Sequence, residues 1–256
     1  MSLQPLANPL ANKVAVITGG SRGLGRAMAI SLAAKGVQIA LVARDVAAME
    51  ETARLVAEAG STAHCFAADV TDESQVAAMA EAILLAFGTV DILVNNAGIN
   101  IRKNVHEFTL AEWNAVIGTN LSSAFLLCRA FVPHMKGKGY GRIINMTSIM
   151  SHVSLGGRTA YSSSKAALLG FTKSLALELA SEAITVNGIS PGPFATEMNV
   201  PLMNNPETNA MFMSKIPLGR WGKVEEIGEL CAYLCSPDAG FITGTDILID
   251  GGWCAQ

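Results

Sequence analysis

The stretch KVAVITGGSRGLG, residues 13–25, decides how the rest of the chain is read. Its first half is a short run of β-branched and small apolar residues, the composition of a strand buried on both faces. Its second half sets glycines at 19, 23 and 25, and a helical pattern follows over 24–35. Strand, glycine turn and helix in that order make a place for an anion. Glycine permits the sharp turn and lets backbone approach a pyrophosphate, while the helix presents free N–H groups and the positive end of its dipole. The spacing is G-x-x-x-G-x-G rather than the commoner G-x-G-x-x-G, so the stretch needs support from its surroundings.

Periodicity supplies that support. VQIALVA, TAHCFAAD, DILVNNAG, GRIINMTS, ITVNGISPG and DILIDGG read as six further strands. Helical patterns separate them over 46–59, 73–87 (closed by Gly88), 110–135, 158–180 and 224–234. Strands that are apolar throughout, each followed by a helix, predict a parallel sheet covered on both faces. The expected fold is therefore α/β, a doubly wound Rossmann-type sheet of about seven strands rather than an eightfold barrel. With no linker and no repeat, residues 1–256 are expected to form a single domain. The Pro-, Asn- and Met-dotted stretch 193–217 reads as an insertion that serves as a lid.

Composition narrows the function. Half of the 256 residues are hydrophobic, ample for one large core, and the net charge of −3 carries no block of like charge. That balance argues against a nucleic-acid or anionic-membrane binder. The apolar runs look too short and too interrupted to span a membrane. MSLQPLANPLANK, residues 1–13, reads as a loose leader and not as a secretory signal. The five cysteines are scattered without C-x-x-C. Cys231 and Cys235 share a helical face with no third ligand, so no metal site is expected and a reducing, cytoplasmic location is.

A second short stretch carries chemistry. YSSSK, residues 161–165, puts a phenol and an ammonium one helical turn apart. Tyrosine titrates near ~10, so bringing it towards neutral pH takes about 3 to 4 kcal/mol of differential stabilisation. A nearby ammonium supplies part of that by favouring phenolate, and a second positive group is expected beside it.

Several motifs occur in order along the chain: Thr18-Gly19-(x)3-Gly23-x-Gly25, Asn95-Asn96-Ala97-Gly98, Asn120, Ser148, Tyr161-(x)3-Lys165 and Pro191-Gly192. Together, from about Lys13 to Gly252, they resemble the short-chain dehydrogenase/reductase family of nicotinamide-dependent enzymes. The resemblance implies that Tyr161 is the general acid in ketone reduction and the base in the reverse direction. Lys165 would lower its pKa and hold the nicotinamide ribose, the cationic ring supplying the second charge. Ser148 would donate to the substrate oxygen. Asn120 would interrupt the ladder of its helix and hold a water leading from Lys165 to solvent. Gly19, Ser21, Arg22, Gly23, Leu24 and Gly25 would wrap the cofactor phosphates. Asn95 to Gly98, with Asn96, Ala97 and Gly98 foremost, would line the adenine and ribose side. Asp69 and Val70 would meet adenine, Pro191 and Gly192 would bind the cofactor, and Thr196 would reach the carboxamide.

The second strand ends at Ala43 and Arg44, where an NAD enzyme of this kind would carry an acid. Arg44 and Arg22 suit a 2′-phosphate, so NADP(H) is expected in preference to NAD(H), with Asp45 the rival for the ribose. The substrate is expected to be a carbonyl or alcohol, a sugar acid or small ketone. NNAGINIRKNVHEF resembles gluconate 5-dehydrogenase-like members, with Arg102 and Lys103 candidates for meeting an acidic substrate. A 3-oxoacyl-acyl-carrier-protein reductase is the alternative, weakened because Gly139 and Glu182 stand where such enzymes tend to carry arginines. His152 and the Met-dotted lid are expected to line the pocket. Members commonly pair long helices and the last strand in a homotetramer, or a dimer. Two readings from other classes fare worse. GGSRG and GISPG match a hydrolase elbow, but no histidine follows Ser190. A non-catalytic NADP sensor has no reason to keep Ser148, Tyr161 and Lys165 together.

Overall fold

The computed structural model describes residues 8–256. Seven strands form one parallel sheet: β1 (Val14–Thr18), β2 (Gln38–Ala43), β3 (Ala63–Ala67), β4 (Ile92–Asn95), β5 (Gly141–Met146), β6 (Ile184–Pro191) and β7 (Asp246–Ile249). Their order is β3-β2-β1-β4-β5-β6-β7, so the winding reverses between β1 and β4. Ligands bind such sheets at that reversal, beyond the carboxyl ends of the strands.

Alternation along the strands builds two cores. Ala15, Ile17, Ile39 and Leu41 face one way and pack with α1 (Gly23–Ala33), α2 (Val46–Glu58) and α9 (Val224–Cys235) through Met28, Leu32, Met49 and Ile227. Val16, Ala40, Val42 and Leu93 face the other way. There they meet α3 (Glu73–Phe87), α5 (Ser123–Met135) and α6 (Thr159–Leu179) through Ile83, Leu127, Phe131 and Leu175. Period-two side-chain direction, apolar on both sides, is what a doubly covered parallel strand requires.

Local signals set the helix ends. Asp72 accepts from the backbone N–H groups of Ser74 and Gln75 at 2.9 and 3.1 Å to start α3, and Gly88 closes it at φ 71°. The expected helix over 110–135 is not uniform. α4 (Leu110–Ile117) passes into a π turn at Gly118–Ser122 and then into α5. The run Leu110–Met135 is 26 residues long with a mean hydropathy of 1.5 in its most apolar window. By length and composition it is able to cross a membrane, contrary to the expectation from the sequence. Here Val116, Leu127, Phe131 and Met135 are wholly buried in the protein core.

Two further expectations are corrected. The second half of the supposed leader is anchored, with Leu10 buried in the core and Ala11 against Gly36; residues 1–7 lie outside the described residues. The stretch 193–217 is not an irregular insertion. It contains α7 (Val200–Asn204) and α8 (Pro206–Met213), each with a proline in its first turn, where the missing N–H costs nothing.

Candidate active site

At the carboxyl ends of the strands lies a cavity of about 980 Å³. Of the site residues expected from the sequence, all line it except Asn120, which stands behind it, and Asn95 and His152, which turn elsewhere. One end of the cavity is the glycine turn. Gly19 adopts φ 63°, and a Cβ there would lie 2.8 Å from Asn96 Nδ2. A Cβ on Gly25 would lie 2.2 Å from the Gly19 carbonyl oxygen, a collision with backbone that nothing can relieve. Asn96 Nδ2 donates to the carbonyls of Thr18 and Gly19 at 2.9 and 3.1 Å, which locks the turn to the end of β4. Asn95, expected to line the cavity too, instead points into the core and donates to Asn145 Oδ1 at 2.8 Å. Successive residues of a strand face opposite sides, so Asn95 and Asn96 cannot both reach the cavity.

Arg26 was not singled out by the sequence pattern. Its Nη2 donates to the Ser21 carbonyl at 2.7 Å and its Nε to Thr52 Oγ1 at 3.0 Å, bracing the turn from outside. Next to the turn, Arg44 is largely exposed and lies 3.7 Å from the Asp69 carboxylate. Asp69 accepts from the N–H and hydroxyl of Thr71 at 2.9 and 2.7 Å, and those bonds, with Arg44 adding less, hold its pKa below the usual range. The rival Asp45 accepts from Ala48 N–H at 3.1 Å as the N-cap of α2. Its carboxylate is engaged, which leaves the exposed guanidinium of Arg44, loosely paired with Asp69, as the group facing that corner.

At the other end stand the catalytic candidates. Lys165 is buried and its Nζ donates to the Met146 carbonyl at 2.5 Å; burial pulls its pKa down to about 8. That Nζ lies 5.7 Å from the centre of the Tyr161 ring. Burial raises the pKa of Tyr161, opposed by the Ser148 hydroxyl and by the charge of Arg158. The expected phenol–ammonium partnership is thus altered. Lys165 spends its charge on the strand-end carbonyl, and the guanidinium acting on the phenol belongs to Arg158, the N-cap residue just before α6. Ser148 caps a short 3₁₀ turn beyond β5, its Oγ accepting from Met150 N–H at 3.1 Å.

Asn120 sits in the π turn, as an interruption of the ladder requires. Its Oδ1 accepts from Ile99 N–H at 2.8 Å, and its Nδ2 donates to Ile99 O and Ser164 Oγ, both at 3.0 Å. Ser164 in turn donates to the Tyr161 carbonyl at 2.7 Å. Asn120 therefore ties the loop after β4 to the turn of α6 that carries Tyr161.

His152 does not line the cavity. Its Nε2 meets Asp246 Oδ2 at 2.6 Å, and the same carboxylate accepts from Ser190 Oγ at 2.6 Å and Thr147 Oγ1 at 2.5 Å. This serine, acid and histidine are not a hydrolytic relay. Ser190 is wholly buried, and the carboxylate stands between serine and histidine rather than behind the histidine. The cluster fixes Thr147, next to Ser148, to the first residue of β7. From the expected lid, Leu202 and Phe212 reach the cavity, and Trp221 and Trp253 complete that wall. Phe212 lies between the two indoles, at 5.0 and 5.8 Å.

The family model described as enoyl-(acyl carrier protein) reductase matches residues 19–254. The chain belongs to the short-chain dehydrogenase/reductase family. It is 39% identical to the 3-oxoacyl-(acyl-carrier-protein) reductase of Escherichia coli, over 94% of this chain and 96% of that one. A solved structure described as a gluconate dehydrogenase from Agrobacterium tumefaciens superposes with a TM-score of 0.94 at 37% identity, covering 98% of this chain and 100% of that one. A second, described as a 2-deoxy-D-gluconate 3-dehydrogenase from the same organism with bound NADP, gives 0.90 at 34% with coverage of 98% and 100%. This short-chain dehydrogenase/reductase is accordingly an oxidoreductase that uses a nicotinamide cofactor. The residues present fit that group. The glycine turn leaves room for a pyrophosphate that no side chain could share, and Lys165 is a buried cation with donors to spare.

Proposed function

We propose that the chain is an NADP(H)-dependent enzyme of one catalytic domain, residues 1–256 with a lid over 193–217, that interconverts a ketone and a secondary alcohol. The observation carrying this reading is that Ser148, Tyr161 and Lys165 meet in the same cavity as the glycine turn. When bound, the nicotinamide supplies or accepts hydride. Tyr161 gives its proton to the carbonyl oxygen in reduction and takes it back in oxidation, with Ser148 holding that oxygen and Lys165 holding the ribose. Asn120 keeps the Tyr161 turn in register. Arg44, with Arg22, receives the 2′-phosphate, and the NADP-bound relative agrees with that preference. The enzyme is proposed to be cytoplasmic and homotetrameric or dimeric, acting on a small carbonyl or alcohol.

The test is a carbonyl panel followed by absorbance with NADPH and NADH side by side. Tyr161→Phe is expected to lower kcat at least about 100-fold, with NADPH binding by calorimetry retained. Turnover near the unaltered rate would place the proton donor elsewhere. A 3-oxoacyl-acyl-carrier-protein reductase is the second reading, favoured by the Escherichia coli relative. Against it, Glu182 accepts from Gly137 N–H at 3.1 Å, so the surface where an acidic carrier would dock presents a carboxylate. Faster turnover of 3-oxoacyl thioesters than of small ketones would favour this second reading.

A further inference from the structure

Two guanidinium groups inside the cavity have no anionic partner among the described residues. Arg158, the N-cap residue of α6, lines the cavity beside Tyr161, and its Nη1 is buried without any hydrogen-bond partner. Arg102 lines the same wall. It comes from the loop after β4, whose backbone at Lys103 packs 3.8 Å from the position a Cβ would take on Gly157. That approach brings the two cations together. Neither takes part in an ion pair, whereas the acids lining the cavity are engaged elsewhere: Asp69 with Arg44, Glu197 with Arg26, and Asp45 as a helix cap.

An unpaired buried charge is costly, and a second like charge beside it adds to the cost. Both effects act on Arg158, which is half-buried with Nη1 enclosed and has the exposed Arg102 nearby; its pKa is lowered by burial first and by Arg102 second. Guanidinium stays protonated all the same, so relief has to come from an anion. The glycine turn at the opposite end of the cavity would hold the cofactor phosphates, which leaves the substrate as the source.

Resting on the oxidoreductase reading above, we infer that Arg158, assisted by Arg102, binds a carboxylate of the substrate. The substrate is a short oxo acid or the matching hydroxy acid. Arg158 caps the helix that carries Tyr161 and its charge acts on that phenol, so the carboxylate lies close to the carbon that takes the hydride. An acyl thioester has no such charge. Buried Asn100 Oδ1, also unpartnered in this cavity, offers an acceptor to a hydroxyl of the same molecule.

The experiment compares 2- and 3-oxo acids with their primary amides, which keep the shape and lose the charge, on the NADPH-loaded enzyme. The acid is expected to exceed the amide in kcat/KM by about 30-fold or more, as charge-assisted hydrogen bonds allow. In Arg158→Gln that ratio is expected to fall towards one, with the loss carried by KM, and Arg158→Lys to restore part of it. Butanoate, which cannot react, gives a parallel calorimetric reading: binding to the unaltered chain, weakened in Arg158→Gln and in Arg102→Gln. A ratio near one in the unaltered enzyme, or one unmoved by Arg158→Gln, overturns the assignment. An enzyme that reduces ketones and amides without favouring acids refutes only this inference. Failure to reduce any carbonyl refutes the parent reading, and the butanoate titration still decides Arg158.

Discussion

Lys165 is an ammonium enclosed by protein and held by one carbonyl, that of Met146. Its folded pKa is about 8 against the ordinary 10.5. Between those values the unfolded chain holds the additional proton, so stability rises with pH across that window and is lost as pH falls through 8. The full difference is about 3 kcal/mol. Denaturation of the cofactor-free protein from pH 7 to 9.5 should show the unaltered chain gaining stability relative to Lys165→Met, and parallel curves would refute the burial argument. The spacing in YSSSK was enough to place phenol and ammonium on one face. It says nothing of where a four-carbon stem ends, and the stem ends on a strand carbonyl. Arg158 carried a usable signal, since it precedes Tyr161 by the same three residues that make helix neighbours. Asp246 carried none, because its partners Thr147, His152 and Ser190 are distant in sequence.

At the scale of elements, Asn120 binds three segments, the loop after β4, the π turn and the first turns of α6. Asn120→Leu keeps the volume and strands Ile99 N–H and C=O, with an expected cost of about 2 to 3 kcal/mol in chemical denaturation. Activity should fall further than cofactor affinity, because the Tyr161 turn and not the glycine turn loses its tether. An unchanged denaturation midpoint would show that the loop stands without it. All seven strands and their order of helices were legible, because buried parallel strands are apolar throughout and glycines punctuate them. The interruption at Asn120 was legible only through the family resemblance and not from periodicity, since one residue inserted in a helix barely disturbs a 3.6-residue period. The short helices over 193–217 were missed because each carries a proline in its first turn, which reads as a breaker unless that place is known.

Over the whole molecule, large apolar side chains are left in solvent in separate regions. Leu177 on α6 is 83% exposed and Phe125 on α5 48% exposed. Phe241 is fully exposed, and Tyr233 on α9 and Leu248 on β7 are also left in solvent. Large apolar side chains in solvent mark contact surfaces where they adjoin, and a closed assembly of four copies would cover them. Light scattering should give four times the chain mass of 26.8 kDa. Leu177→Arg combined with Phe125→Arg should give a smaller species, and a monomer in the unaltered protein would refute the assembly. The expectation of a tetramer comes only through resemblance, because exposure of a leucine is decided by folding and not by its neighbours in sequence.

The aromatic wall of the cavity has a practical consequence. Of the chain's three tryptophans, Trp221 and Trp253 both border the cavity, with Phe212 between them. Their ultraviolet emission overlaps the absorption band of a reduced nicotinamide, so energy transfer quenches them when the coenzyme enters. The protein thus carries its own optical reporter of occupancy, readable without a label and before any substrate has been identified.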